Sequence, residues 1–325
     1  KYPVGKRHSP PQDLHSPFYP ARGPYSSSDP TVLVSQMQEL MDAHVNVVVL
    51  SWWGPKHNPA TSDTQGVQTD AVLPIVMRVA EDTGMLVAFH LEPYPGRSAV
   101  SVREDVAYLM QLYGNSTCLY RRNGLPVYYV YDSYHVKPQD WASVLTKEGS
   151  NSLRGTAFDG FFIALWLSQR DNVDILQGGF DGCYTYFASE AVSWGASRRN
   201  WPQMANWAKT HNLLFVPSVG PGYDDSHIRP WNSDATTPRD NGTLYERAWS
   251  AAVASGAKVV SITSYNEWGE GTQIEPARLS VRSDETSYED YASDTTQYMR
   301  LTSKWAKKLQ ESVSRVYDTL VDGEL

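Results

Sequence analysis

Apolar positions along the chain follow two alternating rhythms. In "PTVLVSQMQELMDAH" (30–44), Leu33, Met37, Leu40, Met41 and His44 fall at helical spacing, behind Asp29 as a cap and with Pro30 in the first turn. "VNVVVLSWW" (45–53) is continuously apolar, the pattern of a strand buried on both faces of a parallel sheet. A helix in "DAVLPIVMRVAEDTG", with Pro74 in its first turn and Gly84 closing it, precedes the strand "MLVAFHLEP" (85–93). "VSVREDVAYLMQLYG" lines up Val102, Val106, Leu109, Met110 and Tyr113 on one face, and "PVYYVYD" (126–132) follows as a strand. Further strands are predicted at 159–166, 180–187, 213–220 and 258–268, each preceded by a helical segment, and a last helix at roughly 293–312.

Strands alternating with helices imply βα units and a parallel sheet. The count is seven strands and eight helices, whereas a (β/α)8 TIM barrel has eight of each. The chain opens on a Pro/Ser-rich loop segment, residues 1–29, that leads directly into a helix. The expectation is one catalytic barrel domain over 1–325 that lacks its first strand in this chain, with a C-terminal helix and tail over 293–325. A complete open sheet of seven strands is the alternative. No linker, internal repeat or second domain is visible.

Composition narrows the chemistry. A net charge of −8, a pI near 5.5 and the lack of a Lys/Arg run argue against a nucleic-acid partner. Of 11 Trp and 20 Tyr many belong to the core, but so many rings with a polar tip also suit a cleft in which flat faces stack on sugars. The two cysteines, Cys118 and Cys183, imply no disulfide framework, and Cys183 in "FDGCYTYF" reads as a buried small hydrophobe. No apolar stretch reaches the roughly 18 residues of a membrane span, and the first residues do not read as a signal peptide. Two Asn-x-Ser/Thr sequons, at Asn115 and Asn241, fall at turn-like positions compatible with a secretory lumen.

Candidate functional residues collect at the C-terminal ends of the strands, where barrel enzymes build their sites. They are Trp52 and Trp53; His90, Glu92 and Tyr94; Tyr131, Asp132 and Tyr134; Trp166; Tyr184 and Tyr186; Tyr223; and Asn266, Glu267 and Glu270. Glu267 and Glu270 stand three apart in "SYNEWGEGTQIEPA", with Gly269 and Gly271 bracketing the second. Two carboxyls flanking a glycosidic bond can serve as acid and as base or nucleophile, with separations of about 5–5.5 Å for retention. The bland alternative is two exposed loop glutamates. His90 and Glu92, two apart on a strand, face the same side. They read as a clamp on sugar hydroxyls, with a satisfied structural pair as the alternative; no third ligand stands at a spacing that would suit a metal. Asp132 either caps its loop or binds a hydroxyl. The Gly/Pro-rich loop "SVGPGYDDSHIRPWN" adds Tyr223, Arg229 and Trp231 as binding candidates, Arg229 being equally readable as a structural bridge. There is no phosphate loop, cysteine cluster or nucleophile elbow, so no metal and no cofactor is expected.

The segments "LSWW", "HLEPY", "VYYVYDSY", "GFDGCYTYF", "PSVGPGY", "IRPWN" and "SYNEWGEGTQIEPA" together resemble glycoside hydrolase family 99, the endo-α-1,2-mannosidases, in order and evenly spaced from about Tyr2 to Ala277. The resemblance is closer to the animal branch than to the bacterial one. It implies a (β/α)8 barrel that cleaves an internal α-1,2-mannosidic bond with retention and without metal. The implied substrate is a glucosylated high-mannose N-glycan, processed in the Golgi lumen by a monomer whose membrane anchor is not in this chain. The residue matching Glu267 would deprotonate the sugar 2-hydroxyl, which attacks C1 to give a 1,2-anhydro sugar. The residue matching Glu270 would act as general acid and then base. This chain departs from the family pattern at three points. It starts after the family's first strand, Gly269 stands in place of a His, and Trp53 replaces the Tyr usual in animal members, which bears on the choice between glucose- and mannose-capped substrates.

Overall fold

The computed structural model describes residues 8–58, 61, 68–190, 192–281 and 287–322. Its strands are β1 (Val47–Trp52), β2 (Leu86–Leu91), β3 (Arg121–Arg122), β4 (Leu125–Val130), β5 (Phe161–Leu165), β6 (Gly182–Tyr184), β7 (Leu214–Val216), β8 (Ser218–Val219) and β9 (Ser261–Ile262). Its α-helices are α1 (Pro30–Asp42), α2 (Leu73–Thr83), α3 (Ala99–Tyr113), α4 (Pro138–Leu145), α5 (Asp171–Gly178), α6 (Trp201–Thr210), α7 (Thr243–Ala254) and α8 (Gln297–Asp322). All seven predicted strand regions and all eight helices are present. The short β3, unforeseen, forms a hairpin with β4.

The parallel ladder runs β1-β2-β4-β5-β6-β7, and β8 pairs in parallel with β9. β7 and β8 are one strand interrupted at Pro217, which has no N–H to give the ladder. The strands therefore follow chain order around a (β/α)8 barrel. Among the described residues no strand pairs with the outer edge of β1 or of β9. β1 shows the consequence: Val49 is 36% exposed, while every residue of β5 is buried.

Side-chain alternation sorts the strands into two layers. Ala88, Val127, Tyr129, Ile163, Leu165, Tyr184 and Val216 point into the barrel, whereas Phe89, Tyr128, Phe162 and Ala164 pack outward among the helices. Helix starts follow their sequence signals. Asp29 caps α1 by accepting from the Thr31 N–H, and Ser98 and Ser101 form a capping box on α3. Cys118 and Cys183 are both buried and free.

The region expected as a strand over 258–268 is the main local departure. β9 has only two residues, after which the backbone turns to pair with its own continuation. Ser264 N–H donates to Thr272 O, and Ile274 and Glu275 N–H donate to Ser264 and Tyr265 carbonyls. The result is a closed loop, 264–275, that carries both glutamates. The N-terminal segment is not a free loop either. Pro20 bridges to Ala277, Ala21 N–H donates to Pro276 O, and Arg278 N–H donates to Tyr19 O, so the segment straps the outer side of that loop.

Candidate active site

The glutamate loop sits at the C-terminal end of β9. Trp268–Glu270 form one 3-10 turn, and Gly271 exits it at φ 60, a conformation that favours glycine. Its Cβ would also lie 2.9 Å from Asp224 O, so no side chain fits there. Asp224 N–H in turn donates to Glu270 O at 2.9 Å, joining this loop to the one after β8.

That second loop supplies the cation. Arg229 Nη1 donates to Glu270 Oε1 at 3.0 Å and to Asp225 Oδ2 at 2.9 Å, and lies 3.4 Å from the Tyr223 hydroxyl. Asp225 has no exposed surface and accepts further from Asn232 Nδ2 through both oxygens. Arg229 thus forms the structural bridge, tying Asp225 to Glu270. Asp225, the residue that fixes it, was not among the sequence candidates, although its i,i+4 spacing to Arg229 was readable.

Electrostatics separates the two carboxyls. Glu267 is exposed to the cleft, yet protein surrounds most of its carboxyl. This desolvation, then the Glu270 charge, pushes its pKa up to about 7. Burial raises Glu270 as well, but the Arg229 hydrogen bond and charge oppose the rise. Gly269 between them is buried; a Cβ there would lie 3.4 Å from Glu267 Oε1, 3.3 Å from Ile228 and 3.5 Å from His15. A ring from the N-terminal strap therefore occupies the space beside Gly269. Burial lowers the pKa of His15, helped by neighbouring His8 and His227.

Beside the pair lies a tyrosine wall. Tyr131 and Tyr186 meet edge to face at 4.6 Å, and Tyr186 adopts φ 56 at the end of β6. Burial raises both phenols far out of the titrating range, with the Glu270 charge contributing, so they act as neutral donors. Trp53 is half-buried at the end of β1, Asn266 is exposed beside Glu267, and Trp231 is 46% exposed on the Arg229 loop.

Three groups of candidates take partners within the protein. His90 and Glu92 bond each other, with both contacts to the carboxylate made at Oε1. His90 Nδ1 bonds Glu92 Oε1 at 2.7 Å, its Nε2 bonds the Tyr184 hydroxyl at 2.8 Å, and Ser51 Oγ donates to Glu92 Oε1. Both ring nitrogens are used, and Glu92 acts on the site through its charge, which raises both catalytic candidates. Tyr94 turns away from the cleft. Its N–H donates to Glu92 O, reversing the chain, and its hydroxyl donates to Asp105 Oδ2 at 2.6 Å on α3. Asp132 sits at φ 46 and accepts from the Tyr134 hydroxyl, while Arg97 ties its carbonyl to those of Leu91 and Tyr131, so it ends β4 as a turn residue. Among the described residues, no three His, Cys, Asp or Glu side chains converge to hold a metal.

A second tier of residues, absent from the sequence candidates, carries this site. Glu275 is 1% exposed and accepts from Arg22 Nε, Gln36 Nε2, the Tyr25 hydroxyl and Trp268 Nε1. It fixes the ring that stands between Glu267 and Glu270 to the N-terminal strap and to α1.

The chain is matched over residues 1–311 by the model of glycosyl hydrolase family 99. It is 46% identical over 312 residues to a mouse glycoprotein endo-alpha-1,2-mannosidase-like protein, covering 94% of this chain and 68% of that protein. It is 44% identical over 313 residues to rat glycoprotein endo-alpha-1,2-mannosidase, covering 94% and 66% respectively. The chain thus spans about two thirds of the length of these relatives. The structure superposes on the GH99 endo-alpha-mannosidase of Bacteroides thetaiotaomicron with a TM-score of 0.86 at 40% identity, over 93% of this chain and 90% of that one. These matches carry the barrel assignment as well as the chemistry class: the chain is a glycoside hydrolase and belongs to glycosyl hydrolase family 99.

Proposed function

We propose that the chain is a retaining endo-α-1,2-mannosidase acting on glucosylated high-mannose N-glycans in the secretory pathway. The observation that carries the reading is the Glu267–Glu270 pair, held on a closed loop at a barrel strand end beside Tyr131 and Tyr186. The names of the mouse and rat relatives support the substrate class. Exposed sequon residues Asn115 and Asn241 are in keeping with a lumenal setting, and no helix among the described residues is long and apolar enough to cross a membrane.

In this reading Glu267 removes the proton from the mannose 2-hydroxyl as that oxygen closes on C1, and the C1–oxygen bond to the leaving sugar breaks. Glu270 delivers its proton to the departing oxygen. Glu270 then takes a proton from water, whose oxygen opens the 1,2-anhydro ring at C1, and O2 recovers its proton from Glu267. Two displacements at C1 retain configuration. Tyr131 and Tyr186 supply neutral donors to sugar oxygens, and Trp53 offers a face to the neighbouring ring.

Incubation with glucosylated high-mannose glycan should release a glucosyl-mannose disaccharide, detected by mass spectrometry, and Glu270→Gln should bind the glycan without cleaving it. An intact glycan after incubation with folded wild-type chain would sink the reading.

One observation favours a second assignment of roles. Arg229 holds Glu270 toward the ionised form, while Glu267 is the carboxyl pushed up to about 7. In that assignment Glu267 carries the acid's proton and Glu270 is the base. A glucosyl-mannosyl fluoride decides between them, because fluoride departs without protonation. If Glu270 is the acid, Glu270→Gln still releases fluoride in the first step, read as a fluoride burst, and Glu267→Gln does not; the reverse pattern exchanges the roles.

A further inference from the structure

The loop carrying Glu270 and the loop carrying Arg229 are joined behind the site by one buried cation. Arg239 Nη2 donates to Gly271 O at 2.9 Å and to Gln273 O at 2.8 Å, the carbonyls that follow Glu270. Its guanidinium carbon lies 4.4 Å from the ring centroid of Phe18 and 4.5 Å from that of Tyr298, in cation–π contact. Its stem runs so close to Gly222 that a Cβ there would sit 2.7 Å from Arg239 Cγ. Two residues earlier in the chain, Thr237 pairs with Tyr223 through both backbone bonds, which closes the Arg229 loop.

This arrangement is costly for stability alone. Nε and Nη1 of Arg239 are buried without a hydrogen-bond partner, and the Glu289 carboxylate acts on the cation through its charge rather than through an ion pair. Buried N–H groups of a cation left without acceptors are destabilising, and an apolar side chain of similar length would fill the aromatic cage without that cost. What an apolar residue lacks is the pair of bonds to the glutamate loop.

We propose that Arg239 is a positioning residue for hydrolysis, setting Glu270 against Arg229 by pinning the two carbonyls beyond it. The inference rests on the reading of Glu267 and Glu270 as the reacting pair. Arg239 does not touch substrate. It acts through backbone geometry, and a misplacement of about 1 Å at a reacting group can cost on the order of a hundredfold in rate.

The test compares wild type, Arg239→Met and Arg239→Lys on the glucosylated glycan, with kinetics, a pH profile and thermal unfolding. Arg239→Met keeps the stem and removes both donors; kcat should fall about a hundredfold while KM stays within about threefold. Glu270, freed from Arg229, should shift the profile's Glu270 limb to higher pH, and the melting temperature should not fall. Arg239→Lys keeps the charge but not the planar fork, so its loss should be intermediate. Wild-type kcat and an unmoved limb in Arg239→Met, or losses that track a falling folded fraction, would overturn the proposal. Should Arg239→Met not fold, Arg239→Lys decides: reduced kcat in a fully folded chain supports the proposal, and wild-type kcat overturns it. An active wild type with unaffected variants defeats this inference alone, whereas a wild type inactive on every α-mannoside defeats the reading of the pair and this inference together.

Discussion

Glu267 and Glu270 are three residues apart, yet their surroundings push them to different degrees, and the difference has a thermodynamic signature. Burial and the Glu270 charge raise Glu267 to about 7, above the roughly 4.3 of an unfolded glutamate. Across that window the folded chain holds a proton that the unfolded chain has released, so stability falls as pH rises through it. Above it the ionised carboxyl is a standing cost; near pH 4 both states are protonated and the cost vanishes. Glu267→Gln keeps the shape without the charge. Its melting temperature should exceed that of wild type at pH 8, and the gap should close as the pH approaches about 4. Scanning fluorimetry across that range reads it directly. Equal melting temperatures at pH 8 would mean that cleft water fully solvates Glu267, which would remove the electrostatic distinction between the two carboxyls.

At the scale of elements, what the sequence revealed was whatever a local pattern encodes. Buried runs such as "LVAFHL" and "FFIAL" announced their strands because both faces of each are covered. The glutamate loop was legible as a site through its glycines and paired carboxyls, but not as a closed loop, since the bonds that shape it join Ser264 and Tyr265 to residues some eight to ten positions ahead. Tyr94 was misplaced because strand alternation was carried past Glu92, where an N–H bond to the Glu92 carbonyl ends it. Glu275 was invisible for a stronger reason: three of its four donors come from Arg22, Tyr25 and Gln36, more than 200 residues away in the chain. It is a buried anion held by the 2.7 Å Arg22 bond and by neutral donors. Glu275→Gln removes the charge, turns an acceptor into a donor and leaves Arg22 facing it. Arg22 keeps its bond to Glu39, so the loss should stay below the roughly 3–5 kcal/mol of stranding a buried charge, and urea unfolding would register it. The strap and the loop meet at this carboxylate, so hydrolysis should fall with stability. A Glu275→Gln chain as stable as wild type would show that strap and loop are held by their backbone bonds alone.

For the whole molecule, the decisive feature is that the barrel's cohesion is uneven. β2, β4 and β5 each have a strand on both sides and are almost fully buried. Among the described residues β1 has a strand partner only in β2, and it shows alternating exposure. An unpaired edge leaves every second amide of a strand without a ladder acceptor. The N-terminal strap compensates in part, since Tyr25 bonds Glu275 and Tyr265 bonds Glu39 of α1, but these side-chain links do not cover the β1 backbone. Amide exchange should therefore be graded. Residues 87–91, 127–130 and 161–165 should open only with global unfolding, while 47–51 should exchange through a cheaper local opening. Mass spectrometry of deuterated peptides resolves these segments. Protection of 47–51 equal to that of 161–165 would contradict the open edge and require a strand from outside the described residues to occupy it. The same experiment repeated with glycan bound to Glu270→Gln would show whether substrate reaches that edge: added protection at Ser51 and Trp53, next to the barrel mouth, would place the sugar chain across it, and its absence would confine the sugars to the tyrosine side.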